Sequence, residues 1–219
     1  MTDAKSVFSS SNSQSNMGVK RVFDLLAGCI LLILLCPVTV ACAVLIILDS
    51  GGPVIFTHRR LGQHGKIFNC YKLRTMVVNA EDILKKMMDD DPELRKEWKC
   101  GFKLRKDPRI TRVGHLLRRT SLDELPQLLN VIKGEMSLVG PRPRPVYELD
   151  ASENTELFAV GLRTKPGITG LWQISGRSEL GFKERLSSDA WYVHHCSIWL
   201  DCKILLKTAG VVLSKKGAY

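Results

Sequence analysis

The chain of 219 residues is long enough for one domain with a substantial core, and it carries 32 lysine and arginine residues against 22 acidic ones. The resulting net charge of +10 favours anionic partners, namely nucleic acid, an anionic membrane surface or phosphorylated substrates. Seven cysteines form an odd set without a paired CxxC spacing, which argues against a disulfide framework and indicates reduced thiols.

A Ser/Asn-rich tail, residues 1–16, opens the chain and is predicted to be disordered. It is followed by Leu25–Leu48, which carries no charge and as one helix would be about 36 Å long, enough to cross a bilayer. A secretory signal is a poor alternative, because apolar residues continue beyond the cleavage-like site Ala41-Cys42-Ala43. A spanning helix and a re-entrant helix are the two remaining interpretations.

Two features of this apolar segment favour the re-entrant path. Pro37 lies near its middle and removes a helical hydrogen bond, so that a kink or break is expected there. Basic residues flank the segment on both sides, Lys20-Arg21 before it and His58-Arg59-Arg60 after it, which predicts that both ends face the cytoplasm. We therefore predict a re-entrant helical hairpin over residues 17–49, kinked at Pro37, and a catalytic domain on the cytoplasmic face over residues 50–219.

The next segments are predicted to form a short β-hairpin and then two helices. Two β-prone runs, residues 54–57 and 67–71, flank a turn at Gly62–Gly65. Residues 79–98 have helical character with a break at Pro92, because proline is tolerated in the first turn of a helix and not in its interior.

Two later segments have the pattern of amphipathic helices that lie at a membrane interface. Over residues 107–121 the apolar side chains fall on one side and the basic ones on the other. Residues 197–216 combine Trp199 with lysines along an apolar helix. Packing of these helices on a core is the alternative that the pattern leaves open. The nearby run His194-His195-Cys196 lacks paired metal-ligand spacing, which favours a helix face over a metal cluster.

Two adjacent acids, Asp123 and Glu124, follow a run of arginines in the segment TSLDELPQ, residues 120–127. The stretch from Ser121 to Glu124 fits the capping box S-x-x-E. On that interpretation the acids only satisfy backbone N–H groups and complement the dipole at a helix start. The capping box is the structural alternative to any catalytic function of the pair.

Two segments downstream of the acids would suit phosphate binding. The prolines of PRPRP, residues 141–145, would hold two arginines on a stiff backbone, although the same pattern is typical of ligands for SH3-like domains. The segment RTKPGITGLWQISGR, residues 163–177, combines three glycines with three cations. Glycine permits close approach of a backbone to a ligand, and a plain glycine-rich loop is the alternative.

Taken together and in this order, the motifs resemble those of the bacterial sugar transferases of the monotopic phosphoglycosyl transferase family. The resemblance runs from KRVFDLL through the apolar segment, YKLRTM, RRTSLDELPQLLNVIKGEMSLVGPRPRP and PGITGLWQISGR to DAWYVHHCSIWLDCKILLKT. It implies a helix-rich α+β monotopic protein of the bacterial inner membrane, with the N-terminus and the catalytic domain facing the cytoplasm. It also implies a minimal catalytic unit, without the N-terminal helices and soluble domain of longer members.

The resemblance further implies a reaction. A hexose-1-phosphate would pass from a UDP-sugar to a polyprenol phosphate with release of UMP, next to anionic inner-membrane lipids. Asp123 would attack the β-phosphorus and form a phosphosugar-aspartyl intermediate, and Mg2+ held by Glu124 and Asp123 would offset the diphosphate charge. The remaining family positions predict these substrate-binding residues: Arg118, Arg177, Arg142, Lys72, Arg74 and Asp189.

Other function classes fit the sequence less well. A nucleic-acid binder is disfavoured, because no nucleic-acid motif accompanies the basic charge and a membrane segment is present. The non-enzymatic alternative is a membrane-docked scaffold that recruits partners through its basic helices and PRPRP. Asp123 discriminates between enzyme and scaffold, because only the enzyme needs its carboxylate. No physical argument selects glucose, galactose or an acetamido sugar, and the oligomeric state is left open, a homo-oligomer included.

Overall fold

The computed structural model describes residues 11–101, 104, 107–150, 155–175 and 180–214. Helices predominate over short strands, which confirms the helix-rich α+β class. In chain order the elements are α1 Ser11–Ser50, β1 Ile55–Leu61, β2 Ile67–Leu73, α2 Ala80–Asp90, α3 Pro92–Gly101, α4 Arg112–Thr120, α5 Gln127–Lys133, β3 Ser137–Val139, β4 Arg144–Pro145, α6 Tyr147–Asp150, α7 Thr155–Gly161, β5 Gly167–Thr169, α8 Leu171–Ser175, α9 Phe182–His195 and α10 Ile198–Ser214.

The apolar N-terminal segment forms a single helix, α1. Among the described residues it is the one helix whose length and composition would allow it to cross a membrane. The helix continues through Pro37, so the expected break into two helices is not found. A proline removes only one backbone hydrogen bond, and the helix on either side of it can persist with a bend. The helix also begins at Ser11, inside the tail predicted as disordered, whereas residues 1–10 lie outside the described residues.

Both ends of α1 contact the same globular body. Near the beginning, Arg21 Nη1 donates to the carbonyl of Val131 in α5 at 2.6 Å. Near the end, Ile46 is buried in a cluster with Leu117 of α4. The middle of the helix is open to its surroundings, with Ile33 73% exposed. These contacts agree with a helix that enters and leaves by one membrane face. The re-entrant path and the domain division at residues 49 and 50 stay predictions.

The predicted hairpin is present. Strands β1 and β2 pair antiparallel along their whole length, and β4 adds to the other edge of β1, so that the strand order is β2-β1-β4. Strands β3 and β5 form a separate parallel pair. The two helices predicted over residues 79–98 are also confirmed, as α2 and α3 on either side of Asp91.

The PRPRP segment is packed into the body. Pro141, Pro143 and Pro145 are buried, and the last two residues of the motif form β4 at the edge of the sheet. A proline-rich ligand for another protein must be exposed, so the scaffold alternative loses this docking motif. Proline is tolerated in β4 because an edge strand need not donate from every N–H.

Two of the three glycines of residues 163–177, Gly167 and Gly170, allow strand packing where ligand approach was expected, and Gly176 lies outside the described residues. A Cβ atom on Gly167 would lie 2.0 Å from the backbone N of Gly140, and one on Gly170 would lie 2.4 Å from the Gly140 carbonyl oxygen. Only glycine permits this approach between the segment after β3 and the strand β5. The close approach is therefore between two backbone segments of the protein itself.

Helix α4 is shorter than the predicted segment 107–121. It begins after Thr111, whose Oγ1 accepts a hydrogen bond from the Gly114 N–H at 2.9 Å. Leu117 is buried and Arg112 is exposed, as the amphipathic pattern predicts, but Leu116 of the apolar side is exposed and Arg109 of the basic side is buried.

Helix α10 buries Ile204 and leaves Trp199 70% exposed, and Lys203 lies over the Trp199 ring at 5.0 Å. An aromatic ring beside an exposed lysine on an otherwise apolar helix is typical of interfacial helices. Contact of α4 and α10 with a membrane stays a prediction.

Candidate active site

The acid pair lies in a 3₁₀ turn between α4 and α5. Ser121 ends α4 in the left-handed region (φ 58°), with its N–H donating to the carbonyl of Arg118 at 3.3 Å. Its side chain makes no capping hydrogen bond. Thr120 Oγ1 donates back to the Leu116 carbonyl at 2.8 Å, and α5 begins only after Pro126. The capping-box prediction is therefore wrong, because one helix ends and the next begins within TSLDELPQ.

Glu124 is the centre of an ion-pair cluster. Its Oε1 accepts from Lys72 Nζ at 2.7 Å and from Arg142 Nη2 at 3.0 Å. Burial opposes ionisation, but the two cations outweigh it and hold the pKa of Glu124 at about 2. Glu124 therefore stays ionised at physiological pH and draws together a lysine from β2 and an arginine from PRPRP.

Asp123 has a different environment from its neighbour. It is 8% exposed, and its Oδ2 lies 3.6 Å from Lys72 Nζ. Burial raises the pKa of Asp123, and the adjacent Glu124 adds to this, against the opposing charges of Lys72, Arg142 and Arg118. A carboxylate of raised basicity next to several cations is a better nucleophile than a solvated one, and an anion can approach it.

Arg118 lies in the last turn of α4, close to the acids. Its Nε donates to Thr75 Oγ1 at 2.9 Å, just beyond the end of β2. Its charge lowers the pKa of Asp123, and in return the charge of Asp123 acts to raise the pKa of Arg118 against the larger effect of burial. The structure thus brings five predicted residues into one cluster: Lys72, Arg118, Asp123, Glu124 and Arg142.

Asp189 lies behind the cluster. It is 2% exposed, and its Oδ2 accepts from Arg144 Nη2 at 2.8 Å. Burial raises the pKa of Asp189 to about 6 against the opposing effects of Arg144 and Arg142. Arg144 was not among the predicted substrate-binding residues, and its guanidinium lies 5.2 Å from the ring of Phe182. The alternation of arginines in PRPRP was the one sequence signal that could have identified it.

Three other predicted residues are not part of the acid-pair cluster: Arg74 and Pro37 lie elsewhere in the fold, and Arg177 is not among the described residues. Arg74 is buried and donates from Nη2 to Ser50 Oγ at 2.9 Å and to the Gly51 carbonyl. No hydrogen bond among the described residues joins it to the acid pair, so its role in substrate binding stays a prediction without structural support. Arg177 lies outside the described residues. Pro37 lies in the exposed middle of α1.

The donor set of the site suits Mg2+ completed by a substrate. No group of three or more His, Cys, Asp or Glu side chains in the described part of the chain could hold a metal, so a closed protein cage is not formed there. Mg2+ typically binds one or two carboxylates and takes its other ligands from phosphate and water. Asp123 and Glu124 supply two carboxylates, and both ion pairs of Glu124 use Oε1 and not Oε2. The residues present therefore fit this metal.

The structure defines a class of protein, in which a helix of membrane-spanning length is joined to an α+β body with a cation-rich acid pair. The model of the bacterial sugar transferase family matches residues 15–215, and the chain belongs to this family.

Several proteins similar to this chain have names that state an activity or the process in which they act. The chain is 47% identical over 207 residues to the undecaprenyl-phosphate galactose phosphotransferase of Salmonella typhimurium, covering 94% of this chain and 43% of the relative. It is 43% identical over 200 residues to the exopolysaccharide production protein ExoY of Rhizobium meliloti, covering 91% and 88%. It is 38% identical over 216 residues to the undecaprenyl-phosphate glucose phosphotransferase of Komagataeibacter xylinus, covering 94% and 38%. The chain spans less than half of the two phosphotransferases but most of ExoY.

Proposed function

We propose that this protein is a phosphoglycosyl transferase that moves a hexose-1-phosphate from a UDP-sugar to undecaprenyl phosphate, and so initiates synthesis of an exopolysaccharide or another glycoconjugate. The observation that carries the proposal is the buried Asp123 next to Glu124, which binds Lys72 and Arg142. The names of the galactose and glucose phosphotransferase relatives support the polyprenol phosphate acceptor.

In the first step Asp123 acts as the nucleophile. A carboxylate oxygen forms a bond to the β-phosphorus, the bond from that phosphorus to the bridging diphosphate oxygen breaks, and UMP leaves with the electron pair. The raised pKa of Asp123 supports this role, because a more basic carboxylate is a stronger nucleophile. Lys72, 3.6 Å from Asp123, supplies the charge that offsets repulsion between the carboxylate and the diphosphate.

In the second step the phosphate oxygen of undecaprenyl phosphate attacks the same phosphorus. The bond between phosphorus and Asp123 breaks, the carboxylate is regenerated, and the product is a polyprenyl diphosphate sugar. Splitting the transfer in this way lets a lipid-bound acceptor and a soluble donor use the same site in turn.

The other residues of the cluster hold and neutralise the diphosphate. Arg142 and Lys72 would bind phosphate oxygens, and Glu124, ionised because its pKa is about 2, keeps both cations oriented. Mg2+ bound by Asp123 and Glu124 would add positive charge at the substrate phosphates. Arg118, tied to Thr75, would add a further positive charge beside Asp123.

The proposed location is the cytoplasmic face of the bacterial inner membrane. The exposed apolar middle of α1 and the exposed Trp199 of α10 support membrane contact, and the net charge of +10 supports binding to anionic lipids. At this face a membrane-bound polyprenol phosphate and a soluble nucleotide sugar can reach the same site.

The experiment compares purified wild-type enzyme with Asp123→Asn in UMP release from a panel of UDP-sugars and undecaprenyl phosphate. We expect turnover to fall by at least about 10³-fold, because the variant lacks the nucleophile. Membrane association and thermal stability serve as controls and should be unchanged. Unchanged turnover in Asp123→Asn would refute the mechanism, and a wild-type protein inactive on every UDP-sugar would favour the scaffold. The panel also identifies the sugar.

A further inference from the structure

Asn130 of α5 makes three side-chain hydrogen bonds in the core. The residue is 0% exposed. Its Oδ1 accepts from the backbone N–H of Tyr71 at 3.0 Å, and its Nδ2 donates to the carbonyl of Asn69 at 2.8 Å and to Glu135 Oε2 at 2.7 Å. Replacing a fully buried amide of this kind is costly in free energy, because its hydrogen-bond partners would be left unsatisfied in the core.

Two of these bonds imitate a neighbouring strand. In the order β2-β1-β4, β2 lies at the edge of the sheet, so its outward N–H and C=O groups lack a partner strand. Residues two apart on a strand point these groups to the same side. The amide of Asn130 offers one acceptor and one donor, which match the N–H of Tyr71 and the carbonyl of Asn69. Asn130 therefore joins the edge of β2 to α5.

This junction lies between the two halves of the acid-pair cluster. Lys72 directly follows Tyr71 on β2, and Glu124 lies three residues before the first residue of α5, Gln127. The ion pair of 2.7 Å between Lys72 and Glu124 therefore depends on how β2 and α5 are placed against each other. Apart from these hydrogen-bond partners, the core between α5 and β2 is apolar, with Cys70, Leu128 and Val131 buried in one cluster, so water is a poor substitute for the amide.

We infer that Asn130 is a positioning residue that sets the register between β2 and α5 and thereby holds Lys72 against Glu124. The consequence for catalysis rests on the proposed function of the acid pair, whereas the positioning itself does not.

The first test measures the position of Lys72 without turnover. Lys72 is labelled with an amine-reactive reagent at low stoichiometry and quantified by mass spectrometry against the exposed Lys66 of the same chain. In Asn130→Asp, which keeps an acceptor for Tyr71 but loses the donor to Asn69, we expect labelling of Lys72 to rise several-fold. The matched control is Glu135→Gln, which retains an acceptor for Asn130 Nδ2 and should label like the wild type.

The second test measures kinetics on the same proteins. We expect kcat to fall about 10- to 100-fold in Asn130→Asp, with a smaller change in KM, because Lys72 offsets charge that develops during attack. A residue that only stabilised the fold would lower the melting temperature without changing the labelling of Lys72 or the activity of each folded molecule. Unchanged labelling and kcat in a folded variant would overturn the inference.

Two further measurements keep the inference testable where Asn130→Asp does not fold. Asn130→Ser introduces a smaller, uncharged side chain. In that variant, increased labelling of Lys72 supports the inference and unchanged labelling overturns it. If neither variant folds, hydrogen exchange of the Tyr71 N–H in the wild-type protein decides: slow exchange supports the bond to Asn130, and fast exchange overturns it. A wild-type protein without transferase activity would refute the proposed function, whereas labelling would still report on Asn130.

Discussion

Two buried clusters of this protein each contain a lysine that pairs with a carboxylate. The two clusters differ in the other charged groups around that pair. Between α1 and α10, Lys20 Nζ pairs with Asp201 and also donates to the Val139 carbonyl at 3.1 Å. Tyr192 OH completes the group by donating to Asp201 Oδ1 at 2.7 Å. Lys20 is the cation that pairs with Asp201 there, whereas burial raises the pKa of Asp201 and the buried Asp24 adds to this effect.

The cluster at the acid pair has an excess of cations. Lys72 and Arg142 share one oxygen of Glu124, and Arg118 adds a third positive charge near Asp123. Such an excess is unfavourable unless an anion arrives, so the cluster is suited to a phosphate substrate, whereas the Lys20 cluster is suited to holding α1 on the body. The side chains of the two lysines are almost equally accessible, 20% and 21% exposed, which makes them a matched pair for mutation.

The largest effect is expected from Lys20→Met. It leaves Asp201, which is 0% exposed, as an uncompensated buried charge, and this should lower the free energy of unfolding by about 3–5 kcal/mol. Denaturation of the purified protein in detergent measures it. Activity per folded molecule should change little, and a large loss of activity at full stability would contradict the division between the two clusters.

The second prediction concerns Asp189, a buried carboxylate that pairs with an arginine. It asks whether ionisation of such a carboxylate still lowers the free energy of unfolding. The pKa of Asp189 is about 6, above its ordinary value of 3.8, so between these pH values the folded protein binds more protons than the unfolded one. The free energy of unfolding should therefore fall as pH rises, by roughly 2 kcal/mol between pH 4 and 6 and by roughly 3 kcal/mol over the whole titration. Denaturation curves across this range should show this slope in the wild type, and Asp189→Asn should reduce it. A wild-type curve without this slope would contradict the raised pKa.

The matched substitution Lys72→Met should have the opposite profile to Lys20→Met. Glu124 keeps Arg142 as a partner, so the free energy of unfolding should fall by only about 1 kcal/mol. UMP release should fall roughly 10²-fold in kcat/KM, because a cation next to the reacting phosphate is lost. Equal losses of stability in the two methionine variants would show that the clusters do not differ in this way.

The smallest effect is a displacement of the pH profile. Asp123 must be ionised to attack, so activity should rise with pH through its pKa, which burial raises above the ordinary value of 3.8. Lys72 lowers that pKa, and its removal should therefore move the acid limb of kcat/KM to higher pH. Residual activity of Lys72→Met, measured from pH 4 to 8, provides the comparison. A limb that stays in place would indicate that the acid limb does not report on Asp123.

Local sequence patterns predicted the elements from α1 to α4 and the C-terminal helix α10, and not the short strands and helices between them. The β-prone runs and the glycine turn of the hairpin, Pro92 between α2 and α3, and the apolar length of α1 are each encoded in one continuous stretch of sequence. The same reasoning failed at Ser121, where S-x-x-E matched a capping box although α4 ends at that residue. A short motif is compatible with more than one local conformation. Here the packing of α4 and α5 on the sheet favours a helix end at Ser121 over a capped helix start.

The sequence by itself determined the residue types of the site. It places two adjacent acids in a basic chain and supplies the lysine and arginines around them, and it makes α1 apolar enough for a membrane. Only the tertiary structure decided which groups meet. Glu124 pairs with Lys72 and Lys20 with Asp201, partners that lie 52 and 181 residues apart in the chain. Such pairings depend on strand order and helix packing, which local periodicity does not encode. For the same reason the bonds of Asn130 to β2 and the pairing of Arg144 with Asp189 became known only from the fold.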